Sequence, residues 1–123
     1  MGKVVAVIGA SSNRRKFGNK AVRAFRAAGY EVIPVNPHEQ TVEGLPAYAS
    51  VLDVPKAIDM ATVYVPPAVA TGLLPELLQK GIGEVWLNPG ADDDAVIDEA
   101  RRLGLKVIVA CSIVGAGQRP GDF

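Results

Sequence analysis

The chain has 123 residues, of which 49% are hydrophobic, enough for one domain with a sizeable core. Thirteen basic and thirteen acidic side chains give a formal net charge of zero, which argues against binding to nucleic acid or a membrane surface through bulk electrostatics. The single cysteine excludes an intramolecular disulfide framework, and no Cys or His pattern typical of a metal site occurs.

The first predicted strand, residues 4–8, is apolar throughout and leads into a loop of small and then basic residues. Because polar and apolar side chains do not alternate, we expect this strand to be covered on both faces. Gly9 permits a tight turn, after which backbone N–H groups can approach an anion near the N-terminus of a helix that begins near residue 18. Three cations follow in this loop, namely Arg14, Arg15 and Lys16. The segment predicts a phosphate site, with a solvated run of surface charges as the alternative.

Further along the chain, helices and strands alternate. The first helix has Phe17, Ala21, Val22, Phe25 and Ala28 at helical spacing, and Gly29 closes it. We predict the later strands over residues 30–35, 57–65, 84–87 and 105–110. We predict the later helices after Pro66-Pro67 and after Asp92-Asp93-Asp94, the latter ending at Arg101-Arg102 and Gly104.

Three segments are less regular. Residues 44–48 suggest a short edge strand, and residues 51–54 a single turn. Gly72 and Pro75 predict a kink or a restart in the helix after Pro67, whose predicted buried stripe is Val69, Leu73, Leu74, Leu77 and Leu78. Residues 115–123 have little to bury and are expected to form a mobile tail.

The alternation predicts an α/β, Rossmann-like doubly wound fold with helices on both faces of a mostly parallel sheet of five to six strands. The strand order would be 3-2-1-4-5-6 if the edge strand near Tyr48 forms. Ligands in such folds bind beyond the carboxyl ends of the strands, where the winding direction reverses. The segments at those ends are Gly9 to Asn13, Asn36-Pro37, Val65 to Pro67, Asn88 to Gly90, and Cys111.

Two features of the sequence narrow the choice of bound nucleotide. No glycine follows Gly9 until Gly18, so the G-x-G-x-x-G spacing of dinucleotide sites is missing. The second strand ends at Asn36 rather than at the carboxylate that would accept an NAD ribose hydroxyl. An additional phosphate on the ribose suits Asn36 and the basic loop better, which leaves NADP or coenzyme A.

Several motifs carry a family resemblance, and together they span residues 3–111. They are VAVIGAS at 5–11, KFGN at 16–19, GYEVIPVNP at 29–37, GLP at 44–46, PP at 66–67 and VWLNPGA at 85–91. These motifs resemble those of the small bacterial and archaeal CoA-binding proteins, which are similar in turn to the N-terminal domain of the succinyl-CoA synthetase α subunit. The chain departs from that pattern at Asn88, where relatives usually have Gln, and at Ala110, where they usually have Arg.

The resemblance implies a single CoA-binding, nucleotide-binding domain over residues 1–123 whose cofactor is coenzyme A or an acyl-CoA. By position, the pyrophosphate would be held by Gly9, Ala10, Ser11, Ser12, Asn13, Gly18 and Asn19. The cations that would neutralise phosphates are Arg14, Arg15 and Lys16. The adenosine part would border Asn36 and Pro37, and the nucleotide would be flanked by Val65, Pro66 and Pro67.

No catalytic set is discernible. His38 has no second titratable group placed near it by spacing, and Cys111 is more simply explained as a small apolar residue at a strand end than as a nucleophile or a disulfide partner of CoA. The related acyl-CoA synthetases use a phosphorylated histidine and a nucleotide-grasp domain, both outside the segment resembled here. We therefore expect a CoA-binding protein without catalysis of its own, and no bound metal. The alternatives are an NADP-dependent reductase and the CoA-binding subunit of a split acyl-CoA synthetase, which would require a protein partner; a homo-oligomer is also open.

The predicted location is the cytoplasm. The first strand begins within a few residues of Met1, which leaves no room for a signal peptide, and no apolar run approaches the roughly 18 residues of a membrane span.

Overall fold

The structure of the protein, a computed structural model, describes residues 3–123. In chain order the strands and α-helices are β1 (Val4–Ile8), α1 (Phe17–Ala27), β2 (Glu31–Val35), β3 (Thr41–Val42), β4 (Leu45–Pro46), β5 (Met60–Val63), α2 (Pro67–Lys80), β6 (Glu84–Leu87), α3 (Asp94–Arg102), β7 (Val107–Val109) and α4 (Ser112–Gly115). Short 3-10 helices cover Val51–Asp53 and Pro120–Asp122.

A five-stranded sheet in the order β2-β1-β5-β6-β7 forms the centre of the fold, and all four strand pairs are parallel. β1 lies between β2 and β5, and its side chains point alternately to two buried clusters. Val5 and Val7 pack with residues of α1, whereas Ala6 and Ile8 pack with residues of α2 and α3. The predicted burial of β1 on both faces and the predicted Rossmann-like α/β fold are therefore confirmed.

The edge strand predicted over residues 44–48 is reduced to one position. Tyr48 forms a single parallel bridge to Val35 of β2. This bridge takes the place of the predicted sixth strand of the sheet. β4 pairs instead with β3 in a separate antiparallel hairpin. The chain reverses there because Glu43 and Gly44 both have positive φ angles, +50° and +78°, which is the geometry of a tight two-residue hairpin turn. The single turn predicted nearby is present at Val51–Asp53.

α1 begins at Phe17, and its side chains Ala21, Val22 and Phe25 are buried as predicted. Phe17, which we expected on the same buried face, is 51% exposed. Its ring has the Lys20 ammonium 5.2 Å from its centroid. Phe17 is the first residue of the helix, and half of its side chain lies outside the core.

α2 starts at Pro67, as predicted, and is continuous to Lys80, so it does not restart at Gly72 or Pro75. Pro75 is exposed, so the carbonyl group that loses its hydrogen-bond donor can be solvated by water. The predicted buried stripe is wrong in part. Leu74 and Leu77 are buried together with Ala70, Leu73 is partly buried, and Val69 and Leu78 are 50% and 45% exposed.

α3 matches the charge pattern from which it was predicted. The Asp93 side chain accepts a hydrogen bond of 3.2 Å from the Val96 N–H and so caps the first turn. Arg101 and Arg102 lie in the last turn, near the negative end of the helix dipole, and Gly104 follows with a φ of +82°.

The C-terminal residues have more to bury than the sequence suggested. Phe123 is partly buried against the α1 side of the core, and the Arg23 guanidinium carbon lies 6.0 Å from the centroid of its ring. The expectation of little buried surface is therefore wrong at Phe123, and the mobility of the tail stays a prediction. Among residues 3–123, no helix combines the length and the hydropathy needed to cross a lipid bilayer.

Candidate functional site

The candidate site lies where the winding of the sheet reverses, beyond the carboxyl ends of β1 and β5. α1 follows β1 on one face, and α2 follows β5 on the other. A cleft of about 600 Å³ opens between these connections. It is lined by Gly9, Ser11, Arg15, Lys16, Phe17, Gly18, Asn36, Tyr64, Val65, Pro66, Pro89 and Gly90.

Two glycines allow the first turn of α1 to touch the end of β1. A Cβ atom on Gly18 would lie 2.1 Å from the Gly9 carbonyl oxygen, a distance that no side chain tolerates. Gly9 itself has a φ of +89°, and a Cβ there would lie 3.0 Å from both the Tyr64 carbonyl oxygen and a Val65 methyl group. The Gly9 N–H donates to the Val35 carbonyl at 2.9 Å, which joins the turn to β2. The helix N-terminus can therefore reach the cleft only because both positions lack a side chain.

The loop between β1 and α1 satisfies several of its own backbone groups. The Asn13 N–H donates to Ser11 Oγ at 3.0 Å, and Asn13 accepts in turn from the N–H groups of Arg15 and Lys16, each at 3.0 Å. These local bonds hold the loop in one conformation. Lys16, at the N-cap of α1, provides no side-chain cap, and the first turn contains no acidic residue, so the positive end of the helix dipole is not neutralised from within the helix.

Two carboxylates brace the far side of this loop. Glu39 accepts from the Ser12 N–H at 2.7 Å and from the Ser12 hydroxyl at 2.8 Å. Both bonds hold the pKa of Glu39 below its usual value, and the bond from the backbone N–H has the larger effect. The positive charge of Lys16 lowers this pKa further. Glu43 accepts from Asn19 Nδ2 at 3.0 Å and lies 3.8 Å from Arg14 Nε. None of the residues that contact these carboxylates, Ser12, Arg14 and Asn19, lines the cleft.

Asn19 is fully buried and plays a structural part. Its Nδ2 group also donates to the Ser11 carbonyl at 2.9 Å, and its Oδ1 atom accepts from Arg23 Nε at 2.7 Å. Asn36 is similar, because its Nδ2 group donates to the Ala10 carbonyl at 2.8 Å and its Oδ1 atom accepts from the His38 N–H at 2.8 Å. Each of these two amide side chains therefore fastens the loop, and Asn36, which lines the cleft, keeps a second N–H for a ligand.

The structure brings most, but not all, of the predicted binding residues to the cleft. Those that line it are Gly9, Ser11, Arg15, Lys16, Gly18, Asn36, Val65 and Pro66. Those outside its lining are Ala10, which is fully buried, and Ser12, Asn13, Arg14, Asn19, Pro37 and Pro67. No carboxylate belongs to the lining of the cleft, whose charged side chains are Arg15 and Lys16, so the site favours an anion.

An apolar compartment adjoins each end of the cleft. The first, which we call the near slot, has a volume of about 300 Å³ and shares Gly9, Asn36, Val65 and Pro66 with the cleft. Its other lining residues are Ile8, Val35, Pro37, His38, Ala49, Val69 and Leu73. The exposure of Val69 thus has a local reason, since this side chain lies over the slot and not over the sheet.

The second compartment, the far pocket, has a volume of about 200 Å³ and is lined by Phe17, Tyr64, Asn88, Pro89, Cys111 and Pro120.

Phe17 and Tyr64 are the functional positions that the sequence reasoning missed. Both line the cleft and the far pocket. Tyr64 follows the last residue of β5, so its place at a carboxyl end was the available signal, although its aromatic ring suited a core strand equally well. Phe17 gave no such signal, because its spacing matched the buried face of α1.

A buried network of polar side chains underlies the far pocket. Thr62 Oγ1 and Ser112 Oγ lie 2.6 Å apart, and the Tyr64 hydroxyl lies 3.0 Å from Ser112 Oγ. Asn88 Nδ2 donates to Thr62 Oγ1 at 2.6 Å, and Asn88 Oδ1 accepts from the Ser112 N–H at 2.8 Å. Burial raises the pKa of Tyr64, so its phenol stays protonated at neutral pH. Within residues 3–123, every buried side-chain nitrogen or oxygen has a partner.

Comparison with known proteins supplies the context for this cleft. A family described as "CoA binding domain" matches residues 3–117. Acetate–CoA ligase (ADP-forming) I of Archaeoglobus fulgidus is 32% identical over 116 residues, and the match covers 86% of this chain and 17% of that protein. The subunit alpha of acetate–CoA ligase (ADP-forming) II of Pyrococcus furiosus is 30% identical over 115 residues, covering 85% of this chain and 25% of the subunit. The chain thus spans a quarter or less of the length of these two relatives.

A solved structure of nearly equal length is also similar. It is a conserved hypothetical protein from Pyrococcus furiosus, with a TM-score of 0.83 and 31% sequence identity, and the match covers 94% of this chain and 99% of that one. The resemblance predicted from the sequence motifs is therefore confirmed at the level of family and fold.

The contact between Gly18 and Gly9 gives a first prediction. We expect Gly18→Ala to lower the free energy of unfolding by about 1–3 kcal/mol, because the added methyl group forces backbone atoms apart. Gly72→Ala is the matched control: it lies inside a helix with open space around it, so the same change should raise the free energy of unfolding by about 0.5–1 kcal/mol. Urea unfolding of both variants measures the difference, and equal effects of the two changes would contradict the close approach.

The bond between Glu39 and Ser12 gives a second prediction. Because the pKa of Glu39 is lowered in the folded protein, its contribution to stability should be present above the pKa of the unfolded chain and be lost as the pH falls through the folded value. In an NMR titration of the Glu39 carboxyl carbon, Ser12→Ala should move the pKa of Glu39 upwards, towards its ordinary value. The bond from the Ser12 N–H remains in this variant, so the change in pKa is partial; a pKa of Glu39 that is the same in both proteins would rule out the bond from the hydroxyl.

Proposed function

The chain belongs to the CoA-binding domain family, and from that premise we propose that it binds coenzyme A or an acyl-CoA in the cleft between β1 and β5. The observation that carries the proposal is the order of the three compartments. A cationic cleft without lining carboxylates lies between two apolar compartments, and it shares residues with each of them. A ligand with an aromatic base at one end, phosphates in the middle and an uncharged end beyond them suits that order.

The phosphates would lie in the cleft. Arg15 and Lys16 supply positive charge, and the N-terminus of α1 opens there without a side-chain cap. The absence of G-x-G-x-x-G spacing means that the loop does not wrap a pyrophosphate as closely as in dinucleotide sites. Side-chain cations would therefore contribute more of the binding energy, which suits a ligand that carries a further phosphate on its ribose.

The adenine ring would occupy the near slot. Its walls are formed by Val65 and Pro66 on one side and by Asn36-Pro37 and His38 on the other. A slot of about 300 Å³ accommodates a purine, and apolar walls favour a flat aromatic ring over a sugar or a charged group.

Binding without chemistry is the favoured activity. A nucleophile needs a base within hydrogen-bond reach, and the two candidate groups line different compartments, Cys111 the far pocket and His38 the near slot. Tyr64, the other titratable group of the far pocket, stays protonated at neutral pH. These placements support a CoA-binding module, as expected from the sequence.

A second candidate is the CoA-binding part of a divided acyl-CoA synthetase. It is favoured by the similarity to a subunit that carries the name subunit alpha in a ligase of Pyrococcus furiosus. In that case the chain would hold CoA for a partner that supplies the phosphorylated histidine and the nucleotide-grasp domain. Mixing the purified chain with such a partner should then produce CoA-dependent ligase activity that neither protein has alone.

The proposed ligand is tested by calorimetric titration with CoA, acetyl-CoA, dephospho-CoA, NAD and NADP, each separately. We expect saturable binding of CoA and acetyl-CoA, weaker binding of dephospho-CoA because it lacks the 3′-phosphate, and no binding of NAD. Binding of NADP alone would overturn the proposal in favour of a reductase. Absence of binding with all five ligands would also overturn it.

The two lining cations give a matched comparison. Loss of a charge-assisted hydrogen bond costs about 1.5–3 kcal/mol, so Arg15→Ala or Lys16→Ala should raise the Kd for CoA roughly ten- to a hundredfold. Arg14→Ala, which removes a neighbouring cation that is turned towards Glu43, should change the Kd less than threefold. Equal losses in all three variants would indicate a diffuse charge effect in place of contacts with phosphate.

A further inference from the structure

The far pocket would receive the uncharged end of the ligand, and its lining restricts what that end can be. Of its six lining residues, Phe17, Tyr64 and Pro89 also line the phosphate cleft, so the two compartments adjoin. Cys111 and Pro120 lie beyond that shared wall and belong to the far pocket alone among the three compartments. No charged side chain lines it.

The polar groups that border the far pocket are already bonded to one another. Asn88 is buried and engages Thr62, the Val63 carbonyl and the Ser112 N–H. The Tyr64 hydroxyl bonds to Ser112. A carboxylate entering the pocket would lose its hydrogen bonds to water, and no cation lines the pocket to compensate for that loss, which is costly for a charged group. An aliphatic group has no such penalty.

Phe17 and Pro120, which line the far pocket, are each held in place by contacts with other residues. Phe17 is more than half exposed, yet the Lys20 ammonium lies over its ring. Pro120 belongs to a short 3-10 helix whose end is held by packing of Phe123 against the core and against Arg23. An exposed aromatic ring facing a proline across an apolar space leaves hydrophobic surface that a ligand can cover.

We propose that the far pocket binds the acyl group of a short-chain, uncharged acyl-CoA. This inference rests on the proposed function, because the acyl group reaches the pocket only if the cleft of about 600 Å³ holds both the phosphates and the pantetheine arm that joins them to the thioester. A volume of about 200 Å³ is much larger than a thiol requires. With each carbon taken as roughly the size of a water molecule, about 30 Å³, the pocket takes a chain of about four to six carbons. A butyryl or hexanoyl thioester fits that size and polarity, whereas a succinyl thioester has the size but carries a charge.

The test is a chain-length series measured by calorimetry on the full chain, with CoA, acetyl-CoA, butyryl-CoA, hexanoyl-CoA and succinyl-CoA. Full burial of a methylene group lowers the Kd about fourfold, so butyryl-CoA should bind up to about fifteenfold more tightly than acetyl-CoA. Succinyl-CoA should bind no more tightly than acetyl-CoA. A Kd that is independent of chain length, or a preference for succinyl-CoA, would overturn the inference while CoA binding itself stands.

Filling the pocket provides the matched variant. Cys111→Leu should reduce the ratio of the acetyl-CoA Kd to the butyryl-CoA Kd to near one, because the added side chain occupies the space of the acyl group. Val114→Leu, an exposed substitution on the neighbouring helix α4, should keep the wild-type ratio. If Cys111→Leu does not fold by circular dichroism, the wild-type series decides alone. If the folded wild type binds none of the five ligands, the proposed function fails, and this inference fails with it.

Discussion

The contact between the first turn of α1 and the carbonyl group of Gly9 is the constraint on which the cleft depends. Two polypeptide segments approach there to a distance that excludes even a methyl group on Gly18. The approach aims the helix N-terminus at the carboxyl ends of β1 and β5, and Arg15 and Lys16 then lie on the cleft side of the loop. Gly9 adds the second half of the constraint, because its φ is positive and a Cβ there would press against the Tyr64 carbonyl oxygen and a Val65 methyl group.

Much of the fold could be predicted because its determinants are local. The unbroken apolar run of β1 indicated a strand with two covered faces, and the acidic start and basic end of α3 marked a helix without reference to anything it packs against. The motifs at the carboxyl ends of the strands indicated the family. Periodicity identified α2 but placed its stripe wrongly at Val69, because a repeat of apolar residues does not tell which of them lie over the sheet and which lie over an open slot.

The parts of the site that escaped prediction depend on contacts between distant segments. Ser12 and Glu39 are 27 residues apart in the chain, and Asn19 and Glu43 are 24 apart. Both carboxylates come from the segment between β2 and β5, the least regular part of the sequence. Their hydrogen bonds hold Ser12 and Asn19, which do not line the cleft, whereas Ser11, Arg15 and Lys16 do. A sequence shows a row of polar residues in such a loop, but it does not show which side of the loop each one occupies.

At Glu43, the stability of the hairpin turn and the support of the loop between β1 and α1 favour different residues. A non-glycine residue at a φ of +50° is less favourable than Gly or Asn, the residue types that this kind of turn normally selects. The strain is tolerated at the position whose carboxylate reaches Asn19 and Arg14 and whose carbonyl accepts from Arg26 at 3.1 Å. A search for thermostable variants would therefore be drawn to Gly or Asn at this turn and would relax the hairpin. The same change would remove the Glu43 carboxylate that supports the loop between β1 and α1, so a gain in melting temperature at this position would come at the expense of the geometry of the cleft.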